Sequence, residues 1–479
     1  MGPACGRNPH HAGSPRARTC LCARSWTGRR PTSAPGSSTP STKGREWVEI
    51  VWNDRSLVYR GLSVERRSEP HGAAWCGKRP TMKEPVVDRL AWIGLDAHRD
   101  PITGATLVDN EDTCVNTRQF ANSATSVRRY FAGIVGRLRK WHPGDDDAEW
   151  EIRCCYEASG GGYVLYRQIM DLDIPKVTIK CQVVAPSLIP QRAGDRVKND
   201  RRDARGLARW LRAGELAPVR VPTPEEEGVR SLVRQHETLG RETTRAKNHV
   251  LKLLTARGHV YRAGTNWTRG HWTWLRSLSL ETHDESALHR YLRLLEFTLA
   301  QREELTGEIK PIAKTDRYRV GVEGLRCLFG IDTIQAMTLL AETCDFRRFP
   351  SARHYASYLG LPPGETSSGG KTRHGAMSKT GNAHCRRVLV TAARHYSRSP
   401  RASQAWTRRH QGQPSPVVDH ALKCRQRLHQ RYWHLVNRKG AGASNKAVVA
   451  VARELSGFVW ALMVEIEETL EGDAMPSVA

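Results

Sequence analysis

Strand-like and helix-like runs alternate between residues 91 and 214, and this alternation restricts the fold more than any other feature of the sequence. "AWIGLD" is a short apolar strand, and "ITGATLVD" is its hairpin partner. The runs that follow are a helix over 117–141, a strand over 151–160, a helix over 163–173, a strand over 175–186 and a helix over 199–214. The pattern predicts an α/β domain over residues 88–215, with one mixed sheet covered by helices.

The chain beyond this domain is patterned as helices. Thr223 is a candidate N-cap, Pro224 takes the first helical position and Glu226 completes a capping box. Two long helical runs over 223–312 predict an antiparallel helical hairpin or coiled coil, although a plain two-helix spacer fits the pattern equally well. Shorter helices predict a mainly α domain over 317–470. Its last apolar stretch carries Arg453 and Glu454 in the middle, which indicates a packed helix and no membrane span.

Residues 1–81 differ in composition from the rest of the chain. Pro, Ser, Gly and Arg dominate, and the first 45 residues carry eight basic side chains and no acid. Such a composition cannot bury a core, so we predict a disordered basic extension. The alternative is that these residues are upstream sequence wrongly joined to the gene, and the position of Met82 just ahead of the first strand favours it as the natural start. The N-terminus lacks the apolar run of a signal peptide, and the expected location is the cytoplasm.

The charge of the chain indicates a polyanionic partner. The formal net charge is +26 and the isoelectric point is near 10.0, far beyond what solubility requires. Nucleic acid is the leading interpretation, and an anionic membrane surface is the alternative. The twelve cysteines form no C-x-x-C pair, so we expect reduced thiols and no zinc site.

Four acids stand where a metal site requires them. Asp96 and Glu157 end strands, whereas Asp200 and Asp203 are spaced i, i+3 on one face of a first helical turn. Together they predict a site for one or two Mg²⁺ ions, which prefer oxygen ligands and bridge phosphate oxygens. The alternatives are helix capping for the two aspartates of the helix and ordinary polar strand ends for the other two acids. Asp100 and Asp195 are nearby acids outside the set.

A basic stretch lies near the C-terminus. Residues 366–418 contain no Asp or Glu, but ten Lys or Arg and four His, which predicts a phosphate-facing surface. Within it, the "SSGG" of residues 367–370 allows a backbone to approach a ligand closely, and a serine there could attack a phosphodiester. Alone, this tetrapeptide is typical of a linker. The residues predicted to contact nucleic acid are Lys371, Arg373, Lys379, Arg386 and Arg387.

The segment "LRCLFGIDTIQAMTLLAE" is similar to half of a helix-hairpin-helix element, in which a Gly turn presents backbone N–H groups to a phosphate. Here Asp332 follows the turn of Gly330 and Ile331. An acid at that position argues against direct phosphate contact, so the hairpin is expected to serve packing.

Two sets of motifs resemble one family. "WIGLDAHRD", "CYEASGGGYVLYR" and "VKNDRRDARGLARWL" resemble the N-terminal four-acid (DEDD) domain of the insertion-sequence-110-type (IS116/IS110/IS902 group) transposases. "FPSARHYASYLGLPPGETSSGGKTRHGAMSKTGNAHCRRVLVTAARHY" resembles their C-terminal serine domain. The similarity runs in the family's order over about residues 90–465, and the two motif sets are independent of each other.

The resemblance implies a fold, a chemistry and partners. The acid domain would be ribonuclease H-like and related to Holliday junction resolvases, with Asp96, Glu157, Asp200 and Asp203 as catalytic Mg²⁺ ligands. Ser368 would be the recombination nucleophile, with Ser367 in reserve. The family's partners are DNA and a structured non-coding guide RNA, whose base pairing supplies sequence specificity. Family members act as homo-oligomers, dimers or tetramers, joined through the helical hairpin.

Three functions therefore remain open from the sequence. The leading hypothesis is an RNA-guided DNA recombinase that works through a phosphoserine intermediate. A metal-dependent nuclease that cleaves branched DNA with activated water, and uses Ser368 only structurally, is the second. The third is a nucleic-acid-binding relic without activity. The acids and the serine together favour the recombinase, whereas the acids alone would favour the nuclease.

Overall fold

A computed structural model describes the protein over residues 49–53, 56–60, 89–108, 114, 116–141, 149–158, 160–190, 199–365, 373–401 and 403–474. The chain divides into two compact units, residues 1–73 and 74–479. In the first unit, β1 (Glu49–Asn53) and β2 (Ser56–Arg60) form an antiparallel pair. The remainder of the predicted extension over 1–81, and Met82 after it, lie outside the described residues.

The second unit begins with a mixed five-stranded sheet, as the alternating pattern predicts. Its order is β5-β4-β3-β6-β7, antiparallel from β5 to β3 and parallel from β3 to β7. The strands are β3 (Leu90–Ala97), β4 (Ile102–Val108), β5 (Asn116–Phe120), β6 (Trp150–Glu157) and β7 (Val177–Val184). The helices of this region are α1 (Ala124–Trp141), α2 (Val164–Met170) and α3 (Asp200–Arg212).

The edge strand β5 corrects one sequence prediction. The helix predicted over 117–141 begins only at Ala124, because the preceding residues pair with β4 as a strand. The backbone N–H of Ser126 donates to the Ser123 hydroxyl at 3.3 Å, so the helix start is marked by a serine inside the predicted run. Tertiary pairing with an existing strand outweighs local helical patterning here.

The two faces of the sheet are covered differently. Odd-numbered residues of β3, such as Ile93 and Leu95, belong to a large apolar core with Phe131 of α1. On the opposite face, Trp92 packs with Leu207 of α3 in a smaller core. Because side chains alternate along a strand, Asp96 shares the α3 face with Trp92.

Three helices link the sheet to the C-terminal region. They are α4 (Pro224–Ala256), α5 (Arg269–Ser277) and α6 (Thr282–Ile312). The predicted capping box opens α4, since Thr223 accepts from the Glu226 N–H and the Glu226 carboxylate accepts from the Thr223 N–H. The long helices α4 and α6 pack against each other.

The C-terminal region is mostly helical, in agreement with the sequence. Its elements are α7 (Asp316–Cys327), α8 (Thr333–Thr343), α9 (Ala352–Tyr358), β8 (Pro363–Glu365), β9 (His374–Met377), α10 (Ala383–Ala393), α11 (Gln404–Arg408), α12 (Ser415–Lys439) and α13 (Ser444–Ala474). The two short strands form an antiparallel pair.

One helix in the described part of the chain is long and apolar enough to cross a membrane. It covers Ser444–Leu470 within α13, and 67% of its most apolar window is buried in the protein. It packs against α7, α9, α10 and α12. In its middle, Glu454 pairs with Arg431 of α12 at 3.0 Å. Its apolar composition is therefore accounted for by a position in the core.

Candidate active site

Three elements bring the four predicted acids to one edge of the sheet. Asp96 lies near the end of β3 and Glu157 ends β6, and these two strands are parallel neighbours. The carboxyl ends of parallel strands meet at the same edge. Asp200 and Asp203 occupy the first turn of α3, whose preceding residue Asn199 caps the helix by accepting from the Arg201 N–H at 2.9 Å.

A glycine in β3 sets the distance between strand and helix. A Cβ atom on Gly94 would lie 2.1 Å from the Ala204 carbonyl oxygen and 2.4 Å from the Ala208 amide nitrogen. Both alanines are fully buried in α3. The helix backbone therefore rests directly on the strand, two residues before Asp96 on the same face. This close contact brings the acids of the first helical turn to the strand end.

The electrostatics of Asp96 show that the acids act on one another. Its side chain is only 15% exposed. Burial raises the pKa of Asp96, and the charges of Asp200, Asp203 and Glu157 raise it further, while His98 opposes them. A group of carboxylates that destabilise one another's charges is suited to bind a cation, because a cation relieves both the repulsion and the burial cost.

His98 belongs to this cluster, and the sequence reasoning missed it. Its Nε2 lies 3.4 Å from Asp96 Oδ2 and 3.8 Å from Asp200 Oδ1, and one ligand atom from each of the three residues lies within 4.8 Å of the others. The sequence did offer a signal, because His98 comes two residues after Asp96. Side chains at that spacing point to the same side of an extended chain.

The predicted nucleophile lies outside the described residues, as do Ser367 and Lys371. The described residues on either side of 366–372 belong to β8 and β9, in which Glu365 pairs with His374. After β9, the Lys379 N–H donates to the Gly360 carbonyl at 3.1 Å. Gly360 has a φ of +63°, and a Cβ there would lie 2.0 Å from the Thr380 carbonyl oxygen. The residues before β8 and after β9 are thus in direct backbone contact.

The structure describes four of the five residues predicted to contact nucleic acid, and these four fall into two groups. Arg373 and Lys379 are exposed. Arg386 donates to the carbonyl oxygens of Leu359 and Thr380 at 2.8 and 3.0 Å, and burial lowers its pKa. Arg387 forms an ion pair with Glu237 of α4. The last two guanidinium groups therefore have contacts within the protein, and the assignment of all four to nucleic acid remains a prediction.

An ion pair between an exposed arginine and a buried glutamate connects α4 to the same region. Glu342 of α8 accepts two hydrogen bonds from Arg234 of α4, at 2.5 and 2.9 Å, and a third from Asn382 at 2.8 Å. The Asn382 side chain also caps α10 by accepting from the Cys385 N–H. These groups line a cleft of about 160 Å³ that Tyr163, after β6, also reaches. Sequence reasoning missed this network.

Asp332, in the turn that resembles a helix-hairpin-helix, is an N-cap. Its carboxylate accepts from the Thr333 N–H at 2.8 Å, and Gln335 completes a capping box for α8. Arg326 and Arg409 lie 3.6 and 3.5 Å from the same carboxylate oxygen. These contacts give the acid a structural role, in keeping with the expectation that this hairpin serves packing.

Comparison with known proteins gives a family match for each of two regions, one with the four acids and one with the predicted serine. Residues 93–257 match a family model described as "Transposase", whose label names DEDD-type IS110 enzymes. Residues 323–409 match the model of the "Transposase IS116/IS110/IS902 family". The four acids lie within the first match, and Ser368 lies within the second.

Relatives that match about two thirds or more of the chain are also transposases by name. The chain is 38% identical over 316 residues to "Putative transposase y4qE" of Sinorhizobium fredii (strain NBRC 101917 / NGR234), covering 66% of this chain and 76% of the relative. It is 27% identical over 358 residues to the transposase for insertion sequence element IS1533 of Leptospira borgpetersenii, covering 72% and 97%. The transposase for insertion sequence element IS1111A of Coxiella burnetii (strain RSA 493 / Nine Mile phase I) is 26% identical over 324 residues, covering 65% and 77%.

Proposed function

Because the chain belongs to the IS116/IS110/IS902 family of transposases, we propose that it recombines the DNA of its insertion sequence with a metal-binding acid set and a serine nucleophile. The protein is a DNA transposase, and its DEDD domain indicates a divalent metal requirement. The proposed metal ligands are Asp96, Glu157, Asp200 and Asp203. The proposed nucleophile is Ser368.

The observation that carries this proposal is the convergence of the four acids at one sheet edge. Carboxylate oxygens suit Mg²⁺, the ion that we propose for this site. When bound, the ion would stabilise negative charge on a DNA phosphate. The mixed sheet with its acids at the carboxyl edge of two parallel strands also supports a ribonuclease H-like, resolvase-like fold for this domain.

The serine provides the step that separates a recombinase from a nuclease. The Ser368 Oγ would attack a phosphorus atom, forming an O–P bond while a DNA P–O bond breaks. Its hydroxyl proton leaves to a base, and the released DNA oxygen takes up a proton. Attack on this ester by a free hydroxyl of another strand forms a new DNA P–O bond while the bond between phosphorus and Ser368 Oγ breaks, and Ser368 takes up a proton. This second step completes the exchange. The bond energy is kept in the ester, so strands rejoin without an external energy source.

The direct test is a search for protein-linked DNA on denaturing gels. The wild type should form it, whereas Ser368→Ala should bind DNA normally and form none. Ser367→Ala is the matched control, because it removes the same hydroxyl one residue earlier and should retain the adduct. An adduct in the Ser368→Ala protein would remove Ser368 from the mechanism. Cleavage by that variant at the wild-type rate would favour activated water, as in a junction-resolvase-like nuclease.

We further propose that a structured non-coding RNA guides the reaction. The support is the net charge of +26 together with family membership. RNA that copurifies with the protein from its native host should be sequenced. Reads from the flank of the transposase gene would support guidance, whereas reads scattered over cellular RNA would reduce the binding to non-specific charge.

A homo-oligomer, either a dimer or a tetramer, is proposed as the active form. On α6, Leu294 and Phe297 are three residues apart and 49% and 61% exposed, which is costly for large apolar side chains in water. Light scattering should give a multimer for the wild type and a smaller species for Leu294→Glu combined with Phe297→Glu. An unchanged mass would place the oligomer contact elsewhere.

A further inference from the structure

His98 lies beside the acid cluster, in the turn directly after β3. Its side chain is 55% exposed, whereas that of Asp96 is 15% exposed and that of Asp200 is 50% exposed. The imidazole is thus open to solvent on one side. Its Nε2 faces two carboxylates that approach from different elements, the strand β3 and the helix α3.

The backbone at His98 is held in place. The side-chain amide of Asn122, in the segment between β5 and α1, donates to the carbonyl oxygens of His98 and Arg99 at 3.0 and 3.3 Å. The Asn122 N–H donates to Asp100 Oδ1 at 3.1 Å. Asp100, which the sequence placed outside the acid set, therefore has a structural role in this turn. Three hydrogen bonds from one residue fix the turn that carries the imidazole.

The spacing of the donor atoms fits coordination of a cation. Two ligand atoms about 2.1 Å from one ion, at angles of about 90° to 110°, lie about 3.0 to 3.4 Å apart. The distance from His98 Nε2 to Asp96 Oδ2 is 3.4 Å, and that to Asp200 Oδ1 is 3.8 Å. The second pair needs a movement of less than about 1 Å, which an exposed side chain can make by a small rotation.

We propose that His98 is an additional metal ligand of the acid site, and that its nitrogen increases the site's affinity for transition-metal ions relative to Mg²⁺. The proposal rests on the proposed function, because it assumes that the four acids bind a divalent cation. Imidazole nitrogen is a softer donor than a carboxylate oxygen and favours the later first-row ions, whereas Mg²⁺ prefers oxygen ligands and its own waters. A site of oxygen donors alone would show this preference more weakly.

The test measures binding of Co²⁺ alone and of Mg²⁺ alone by calorimetry, on the full chain without nucleic acid. His98→Ala should lower the ratio of Co²⁺ affinity to Mg²⁺ affinity at least tenfold. The visible spectrum of bound Co²⁺ should change in the same variant, since a nitrogen ligand is lost. His98→Gln, which offers an amide oxygen in place of the nitrogen, should bind Mg²⁺ at least as tightly as His98→Ala does. It should not restore the Co²⁺ preference. His289→Ala, an exposed histidine on α6, is the matched control and should match the wild type.

Several outcomes would overturn the proposal. If His98 only neutralises the acids before metal binds, His98→Ala will leave the affinity ratio unchanged or raise both affinities equally. An unchanged Co²⁺ spectrum would exclude the nitrogen ligand. Asp203→Asn separates this inference from the proposed function: loss of both metals in that variant, with an unchanged ratio in His98→Ala, would reject His98 and keep the acid site. A wild type that binds neither metal would reject both.

Discussion

The carboxylates at the sheet edge and the carboxylate of Glu342 are in opposite electrostatic environments. Burial and neighbouring negative charges raise the pKa of Asp96. Burial also opposes the charge of Glu342, but the hydrogen bonds and charge of Arg234 outweigh it, and the pKa of Glu342 is lowered. One region keeps negative charges close together, and the other neutralises a single buried charge within the protein.

This difference separates function from structure among acids of the same chain. At the sheet edge the carboxylates repel one another, and a cation or the imidazole of His98 can relieve this repulsion. The acids therefore lower the free energy of unfolding of the metal-free protein. Glu342 has its partners already, so its ion pair joins α4 to α8 and holds Asn382, the cap of α10. Substitutions should therefore affect activity in the first region and folding in the second.

The largest effect is expected from Asp203→Asn. Losing one of the proposed metal ligands should reduce DNA cleavage at least about 100-fold while DNA binding stays within a few-fold of the wild type, because the basic surface is unchanged. The free energy of unfolding without metal should not fall, since one repelling charge is gone. Cleavage assays and thermal denaturation measure both. Asp173→Asn, an exposed aspartate after α2, is the charge-matched control. Full cleavage by Asp203→Asn would leave that residue as a helix-start acid only.

The next effect tests the contact that brings the acids together. In Gly94→Ala, the new Cβ would overlap the Ala204 carbonyl, so α3 must move by about 1 Å. A shift of that size should lower cleavage about 100-fold and destabilise the fold by about 1–3 kcal/mol.

Gly133→Ala is the matched control for this substitution. A Cβ at this exposed position in α1 meets nothing within 4 Å, so the change should stabilise the fold by about 0.5–1 kcal/mol. Normal cleavage by Gly94→Ala would show that the acid site tolerates movement of the helix.

The four acids could be picked out from the sequence because their signals are local, and the structure places them close to one another. Strand ends and the i, i+3 spacing at a helix start can be recognised without knowing the fold. The contact that unites them was not predictable, because Gly94 and Ala204 are distant in sequence and their close approach depends on how the helix returns to the sheet. The same limit applies to β5, whose helix-like residues become a strand only because the edge of β4 is available.

Glu342 shows why a structural acid is harder to recognise in the sequence than the four acids of the proposed metal site. In the sequence it is one acid near the end of a mostly apolar helix, and a glutamate is usually solvated. Its partner Arg234 is 108 residues away, so no local pattern connects them. His98 is the opposite case, since its position beside Asp96 was visible. A histidine after a strand is common, and only its distances to the carboxylates of Asp96 and Asp200 make it a candidate metal ligand.

A smaller effect, on stability alone, is expected from Glu342→Gln. The side chain of Glu342 is 1% exposed and that of Arg234 is 47% exposed. Water can solvate the arginine that loses its partner, so the cost should be about 1–3 kcal/mol, below that of a fully buried pair. Chemical denaturation measures it. Glu296→Gln, whose partner Arg276 is also exposed, should cost less than about 1 kcal/mol. Equal costs for the two variants would contradict the structural role of Glu342.

The smallest expected effect is the pH dependence of that stability difference. The pKa of Glu342 is lowered in the folded protein, whereas in the unfolded chain it is about 4.3. The unfolded chain therefore binds the proton more readily, and the stabilisation by the carboxylate is complete above the unfolded pKa. As the pH falls through the unfolded and then the folded pKa, the stabilisation disappears.

The free energy of unfolding should thus differ between wild type and Glu342→Gln by a constant amount from about pH 7 to pH 5, and the difference should shrink below about pH 4. Denaturation of both proteins at matched pH and ionic strength measures it, and common titrations of the other carboxylates cancel in the comparison. A difference that grows as the pH falls would mean that Glu342 is destabilised as an anion, and the contrast with the sheet-edge acids would then fail.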